Sequence, residues 1–323
     1  MEKKVYELDF RGRNITIENG EMAKQADGSV LVRYGDTVVL TTVVMSKTAP
    51  DIDFFPLMVL YQEKLYSVGK IPGGFIKREA RPTENATLSA RLIDRPIRPL
   101  FKEGLRNEVQ VVNTVLSVDQ NNSPEMTALL GTSIALSISN IPFEEPVAGV
   151  IVGRVDGELI INPTSAQTEK SDLMLTIAGT YDAINMVEAE SKEISEEEVL
   201  EAILFGHEAI KELITFQKKI ADDIGQPKKQ IETFMVEENL ISEITEEVKE
   251  KMVKFIQIKD KLERYAAIDD LKNETILKYE EKYKETDEKI TKKVRKVLDE
   301  IEWKEVRRLI TEDKVRPDGR KVD

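Results

Sequence analysis

The sequence predicts an α+β fold, a mixed β-sheet with packed helices followed by an all-α helical bundle, on three observations. Up to about residue 180, short β-branched runs alternate with turn signals. Two helical segments interrupt those runs, and residues 236–310 are rich in Glu and Lys with apolar residues three and four apart. At 323 residues, with 41% hydrophobic and 33% charged, the composition is that of an ordered chain long enough for two domains.

Taken in order, residues 8–10 and 14–17 flank Arg11-Gly12-Arg13 and read as a hairpin, with Gly20 beyond it. Residues 29–34 alternate as a strand, Gly35-Asp36 turns the chain, and residues 37–44 form a β-branched run suited to a buried strand. Further strands are expected at 55–61, 109–118, 147–155, 159–161 and 173–178. Thr83 can cap a helix over 84–94, with Leu88 and Leu92 on one face and Arg91 and Arg95 four apart; Pro96 predicts its end near Arg95. Residues 124–139 are apolar on nearly every side and predict a helix buried under the sheet. Ser195, followed by Glu196, Glu197 and Glu198, opens a helix that continues towards Ile220, and Gly225-Gln226-Pro227 breaks it. Ile241, Ile244, Val248, Met252 and Phe255 then mark amphipathic helices of a small bundle, whose charge reads as a solvated face. Arg316-Pro317-Asp318-Gly319-Arg320 is a turn sequence. The expected domains are 1–210, 211–312 and the start of a further segment at 313–323.

With no cysteine, the chain has no disulfide framework, thiolate metal site or cysteine nucleophile, and the single His207 excludes a multi-histidine metal cluster. What remains is carboxylate, hydroxyl and basic-residue chemistry. The N-terminus lacks the apolar run of a secretory signal and no stretch reaches the roughly 18 to 20 apolar residues of a bilayer span, which predicts a soluble cytoplasmic protein with no membrane partner. Net charge is −13, yet residues 77–106 hold eight basic side chains against four acidic ones. Screening confines exposed charges to about 8 to 10 Å, so local potential decides whether a polyanion docks. The island is either a focused anion site or a set of surface ion pairs.

The run Ile71-Pro-Gly-Gly-Phe-Ile-Lys-Arg-Glu-Ala-Arg-Pro-Thr-Glu84, followed by Ala90-Arg-Leu-Ile-Asp-Arg-Pro-Ile-Arg-Pro-Leu-Phe101, resembles the first core domain of bacterial polynucleotide phosphorylases. Gly35-Asp36-Thr37, Gly131-Thr132-Ser133 and Ala178-Gly179-Thr180 are similar too, and the likeness extends along essentially all of the chain. The resemblance implies an RNase PH-like core domain over 1–210, an all-helical domain over 211–312, and at 313–323 the opening of a second, missing RNase PH-like domain. It implies 3′-to-5′ phosphorolysis of RNA, releasing nucleoside diphosphates, in a homotrimer that takes single-stranded RNA and inorganic phosphate and joins RNA degradosome components. Mg²⁺ or Mn²⁺ would be bound by the missing second core domain, with none in this part of the enzyme. In that catalytic domain two aspartates and a lysine precede the Ala-Gly-Thr; aligned on that tripeptide, their positions here are Thr168, Met174 and Thr176, which cannot do that work. Asp172 is the one acid nearby, either a weak metal ligand or a strand-edge surface acid. This part alone is therefore expected to be inactive, although it belongs to an enzyme.

What the resemblance leaves to this part is RNA grip. The family loop usually reads Phe-Phe-Arg-Arg and lines the narrow entrance of the ring; here it reads Phe75, Ile76, Lys77, Arg78, with Arg81 close behind. Phe75 would stack on a base and the cations would meet backbone phosphates, unless Phe75 is a core aromatic. Ile76 removes one aromatic platform and Lys77 lacks the planar fork of arginine. Arg91 and Arg95 resemble an arginine pair that the catalytically silent subunit of the related exosome ring lends to RNA; the bland reading is an ion pair within the domain, for example Arg95 with Asp94 or Glu84. Arg98 is the weaker candidate. The competing function is a purely structural assembly domain without RNA affinity of its own.

Overall fold

The computed structural model describes residues 2–74, 79, 81–283 and 286–322. Strands β1 (Lys4–Phe10), β2 (Arg13–Asn19), β3 (Gly28–Tyr34) and β4 (Thr37–Met45) form an antiparallel meander. β6 (Val109–Ser117) pairs antiparallel with β4, and β5 (Leu57–Glu63) lies outside it in parallel register, giving the order β1-β2-β3-β4-β6-β5. A parallel neighbour cannot be reached through a tight turn, so residues 64–108 make a long crossover. That crossover carries a 3₁₀ turn over Leu65–Val68, the α1 helix (Glu84–Ile97) and a second 3₁₀ turn over Arg98–Leu100.

The second sheet runs β10-β9-β7-β8, from β7 (Ala148–Val155), β8 (Glu158–Ile161), β9 (Leu173–Gly179) and β10 (Ile184–Ser191), with a single-turn helix α3 (Ser165–Thr168) between β8 and β9. Between the sheets in the sequence lies α2 (Pro124–Ile138), started by the Ser123 hydroxyl accepting from the Met126 N–H. It is buried on almost every side, as its composition requires, because it packs on β3 and β4 along one flank and on β7 along another. Each large aliphatic side chain buried there is worth about 1.5 to 3 kcal/mol. Gly131 makes the close approach possible: a Cβ there would stand 2.5 Å from the Thr41 hydroxyl and 3.0 Å from Val32.

The strands at 8–10, 14–17, 29–34, 37–44, 55–61, 109–118, 147–155, 159–161 and 173–178 all appear, within a few residues at their ends. β10 has no counterpart among the sequence expectations. Only Met186 of its eight residues is buried, so it carries neither an apolar run nor a clean alternation. α1 also outlasts the end expected at Arg95: Pro96 sits inside its last turn, buried, where a missing N–H costs one hydrogen bond and the Arg98 N–H still reaches the Asp94 carbonyl.

The chain divides into a unit Met1–Thr233 and a unit Phe234–Asp323. The boundary expected at 210/211 falls inside α4 (Glu196–Ile224), which stays in the first unit because Leu213, Ile214, Phe216, Gln217 and Ile220 are buried in its core. The segment after α4 is stapled to the end of α2: the Gln226 N–H donates to the Ile138 carbonyl (2.9 Å) and the Lys228 ammonium to the carbonyls of Leu136, Ser137 and Ser139 (2.8–2.9 Å).

The second unit contains α5 (Glu238–Ile256), α6 (Lys261–Tyr283) and α7 (Ile290–Thr311). Its buried stripe on α5 is Leu240, Ile244, Val248, Met252 and Ile256, with Ile241 and Phe255 of the expected stripe at its margins. The Arg316–Arg320 turn closes through a Val315↔Lys321 bridge and an Arg316 N–H to Arg320 carbonyl bond, and lies within this unit. Among the described residues no helix is long and apolar enough to cross a membrane. Overpacking the tightest contact tests the assignment of Gly131 to the core: Gly131→Val is expected to destabilise the first unit by about 2 kcal/mol in urea unfolding, within the range for added methyl groups in a packed core.

Candidate nucleic-acid interface

The candidate residues lie on the crossover between β5 and β6. Its first 3₁₀ turn is fixed to the sheet by the Val118 N–H donating to the Ser67 carbonyl (3.1 Å). Glu79 returns to the same turn, accepting from the Leu65 N–H (2.6 Å) and pairing with Lys64 (3.5 Å). Both feet of the loop are thereby held together. Gly74, at φ +66° with open space around it, takes the left-handed backbone that other residues avoid. Phe75, Ile76, Lys77 and Arg78 lie outside the described residues. Arg81 is exposed just ahead of Thr83, whose hydroxyl accepts from the Ala86 N–H and starts α1.

On α1, Ala86, Ser89, Ile93, Pro96 and Ile97 face the core, which turns Glu84, Leu88, Arg91 and Arg95 to solvent along the opposite stripe. Arg91 and Arg95 are thus on one face, about 6 Å apart along the axis. They differ in their commitments. Arg95 pairs with Glu188 of β10 (2.7 Å), so its ion-pair partner is neither Asp94 nor Glu84. Asp94 is taken by Arg98 (2.6 Å), whose guanidinium also donates to the Phe55 and Leu57 carbonyls and ties α1 to β5. Among the described residues, Arg81 and Arg91 have no acidic partner. The island therefore resolves into strapping residues, Arg95 and Arg98, and solvent-facing cations, Arg81 and Arg91.

The hydroxyl-rich Gly131-Thr132-Ser133 is not a surface loop. The Thr132 hydroxyl reaches the Asn113 side chain (3.1 Å), the Ser133 hydroxyl accepts from the Val147 N–H (2.8 Å), and both residues are fully buried. On the second sheet, Asp172 is held by Arg154 through both carboxylate oxygens (2.7 and 2.8 Å), and Arg154 also binds Glu198 at the start of α4. That bond to Arg154 holds the Asp172 carboxyl below its ordinary value. Among the described residues no three His, Asp or Glu side chains gather as a metal site.

Two family models follow the two sheets. The model described as "3' exoribonuclease family, domain 1" matches residues 11–142, the first sheet from β2 onward with α1 and α2, and "3' exoribonuclease family, domain 2" matches residues 145–209, the second sheet and the first half of α4. The chain belongs to the 3′ exoribonuclease family. A third model, "Polyribonucleotide nucleotidyltransferase, RNA binding domain", matches residues 239–321, the helical unit. This succession is that of the N-terminal region of polyribonucleotide nucleotidyltransferases. The enzymes of that name from Geobacillus kaustophilus and Anoxybacillus flavithermus are each 58% identical over 322 residues, covering 100% of this chain and 44% and 46% of theirs. The chain thus spans under half the length of the curated relatives it matches. A crystal structure of rice (Oryza sativa) Rrp46 superposes with a TM-score of 0.51 at 15% identity, over 68% of this chain and 94% of that one, which supports the RNase PH-like fold.

Within this family frame, Thr168 stands at the end of α3 and Met174 and Thr176 are half-buried on β9, while Asp172 serves its arginine. The Arg154–Asp172–Glu198 network was invisible to sequence reasoning because its members are 18 and 44 residues apart with no motif linking them. Its consequence is acid sensitivity. A carboxyl whose folded value lies below its unfolded one contributes stability above the ordinary 3.8 and loses it as pH falls through the folded value. Asp172→Asn is therefore expected to lower stability at neutral pH and to flatten the loss of stability below about pH 4, read by urea midpoints from pH 7 to 2.5.

Proposed function

We propose that this chain is the RNA-gripping half of a phosphorolytic 3′-to-5′ exoribonuclease, and that the reaction centre lies in a second core domain outside it. The observation that carries the reading is the pair of solvent-facing arginines, Arg81 and Arg91, with no acidic partner among the described residues, on the crossover whose sequence also holds Phe75, Ile76, Lys77 and Arg78. Single-stranded RNA would be held by phosphate contacts from Lys77, Arg78, Arg81 and Arg91 and by stacking on Phe75, with Ile76 offering only an apolar surface. Such contacts tolerate any base, as a processive nuclease requires. Arg95 would join them by exchanging Glu188 for a phosphate, since an exposed ion pair is worth little and costs little to open.

The whole enzyme would use inorganic phosphate to release nucleoside diphosphates, with Mg²⁺ or Mn²⁺ neutralising the transferred group. Thr168, Met174 and Thr176 leave this half without the acids and base for that step. Three copies in a homotrimer would bring three cationic crossovers together in an acidic ring, and RNA degradosome components would be further partners. The competing reading, an assembly domain without RNA affinity, draws support from apolar side chains left in solvent near the same crossover, Tyr66, Val68, Leu88 and Ile71, the last 90% exposed.

The readings separate by measurement. Lys77→Glu/Arg78→Glu, and independently Arg91→Ala, are expected to weaken single-stranded RNA binding and to lower the salt slope by roughly 0.7 for each phosphate no longer neutralised. An affinity and slope equal to those of the parent chain would leave the assembly reading standing. Phosphate-dependent release of nucleoside diphosphates by the 323-residue chain alone would overturn the placement of the reaction centre.

A further inference from the structure

The helical unit holds the chain's sole tryptophan, Trp303, with its indole 59% exposed on α7. One turn on, the Arg307 guanidinium carbon lies 5.1 Å from the indole centroid. Arg307 has no carboxylate partner among the described residues. On α6, Tyr265 is 50% exposed, with the Lys261 ammonium 5.6 Å and the Arg264 guanidinium 5.7 Å from its ring. Arg264 is steadied by donating to the Ile258 carbonyl (2.7 Å).

These two aromatics share a seam. The short connection from Tyr283 to Ile290 makes α6 and α7 antiparallel neighbours, and Lys272 of α6 ties them by pairing with Asp299 (2.5 Å) and Glu302 (2.6 Å) of α7. Tyr265 precedes Lys272 by seven residues and Trp303 follows Asp299 by four, so each stands on the helix face that carries the inter-helix pair. At 1.5 Å per residue, the two rings come at levels about 7 Å apart along the seam. Leu262 and Ile310 add exposed apolar surface at the same end, and the acids nearest the two rings are exposed Glu263 on α6 and, on α7, Asp299 and Glu302, both committed to Lys272.

A protein interface would favour these aromatics too, but exposed rings each attended by cations that pair with no carboxylate among the described residues fit a chain of phosphates and bases. Arginine and lysine meet the backbone while a flat ring accepts any base. The charge setting agrees: the helical unit has 22 Lys+Arg against 24 Asp+Glu, whereas residues 1–233 have 25 against 36. We infer that the α6–α7 seam is a single-stranded RNA site, with Trp303 and Tyr265 as stacking faces and Arg307, Lys261 and Arg264 as phosphate contacts. It deepens the RNA reading above and rests on it.

The lone tryptophan makes the test site-specific. The 323-residue chain is titrated with single-stranded oligoadenylate and oligouridylate, and with inorganic polyphosphate as a base-free polyanion. Saturable quenching of indole fluorescence by both oligonucleotides and not by polyphosphate is expected, and it persists in the Lys77→Glu/Arg78→Glu variant. In that variant, Trp303→Ala or Tyr265→Ala is expected to weaken RNA binding roughly 5- to 150-fold, the span for loss of one base–aromatic stack, with the far-ultraviolet dichroism unchanged. RNA binding by anisotropy with no change in indole emission overturns the seam and leaves the crossover reading intact. No RNA binding to the parent chain overturns both. Equal quenching by polyphosphate removes stacking from the proposal and with it the site as stated.

Discussion

β5 runs parallel to β6, and that register governs everything at the candidate interface. Two parallel strands need a long return path, and the path here is residues 64–108, the same stretch in which the cationic motif is written. The strands it joins are anchored by Val109, Val111 and Val115, all fully buried, and by Tyr61 at the far side. Exposed cations thus hang from a core that has no freedom to shift. On a separate appendage, the same side chains would have to be ordered before they could hold any ligand.

The fold was legible where burial imposes a pattern. The β-branched run at 37–44 and the all-round apolar helix at 124–139 are written in residues that have no other reason to cluster. β10 was illegible because a strand with one buried residue, Met186, leaves no alternation in hydropathy. Its absence also hid the partner of Arg95: a sequence reader looks for acids within a helical turn, and Glu188 is on another element altogether. The expected boundary at 210/211 falls within α4, whose second half is buried in the first unit's core, a packing that the helical spacing alone does not assign to either unit.

Of the site, the residue types were legible and their commitments were not. Arg91, Arg95 and Arg98 look alike in sequence, yet one faces solvent, one crosses to a strand and one straps its helix to the sheet through backbone carbonyls. The hydroxyls of Gly131-Thr132-Ser133 are spent on internal bonds, in keeping with the apolar helix that contains them. The seam on the helical unit carried one signal that could have been seen, a tryptophan four residues before an arginine, but such pairs are common on solvated helices and say nothing of the neighbouring helix.

The Glu79 clasp has an evolutionary consequence. Because it fastens the chain back onto Leu65, the segment between them is already a closed ring, and enlarging such a ring costs only about 0.6 kcal/mol per doubling of its length. Ser67, inside that ring, stays bonded to the Val118 N–H, so the freedom to exchange, gain or shed residues belongs to the stretch between Gly69 and Glu79, while the scaffold beneath keeps its shape. Departures such as Ile76 and Lys77 fall in this stretch, where the sequence can change without risking the fold.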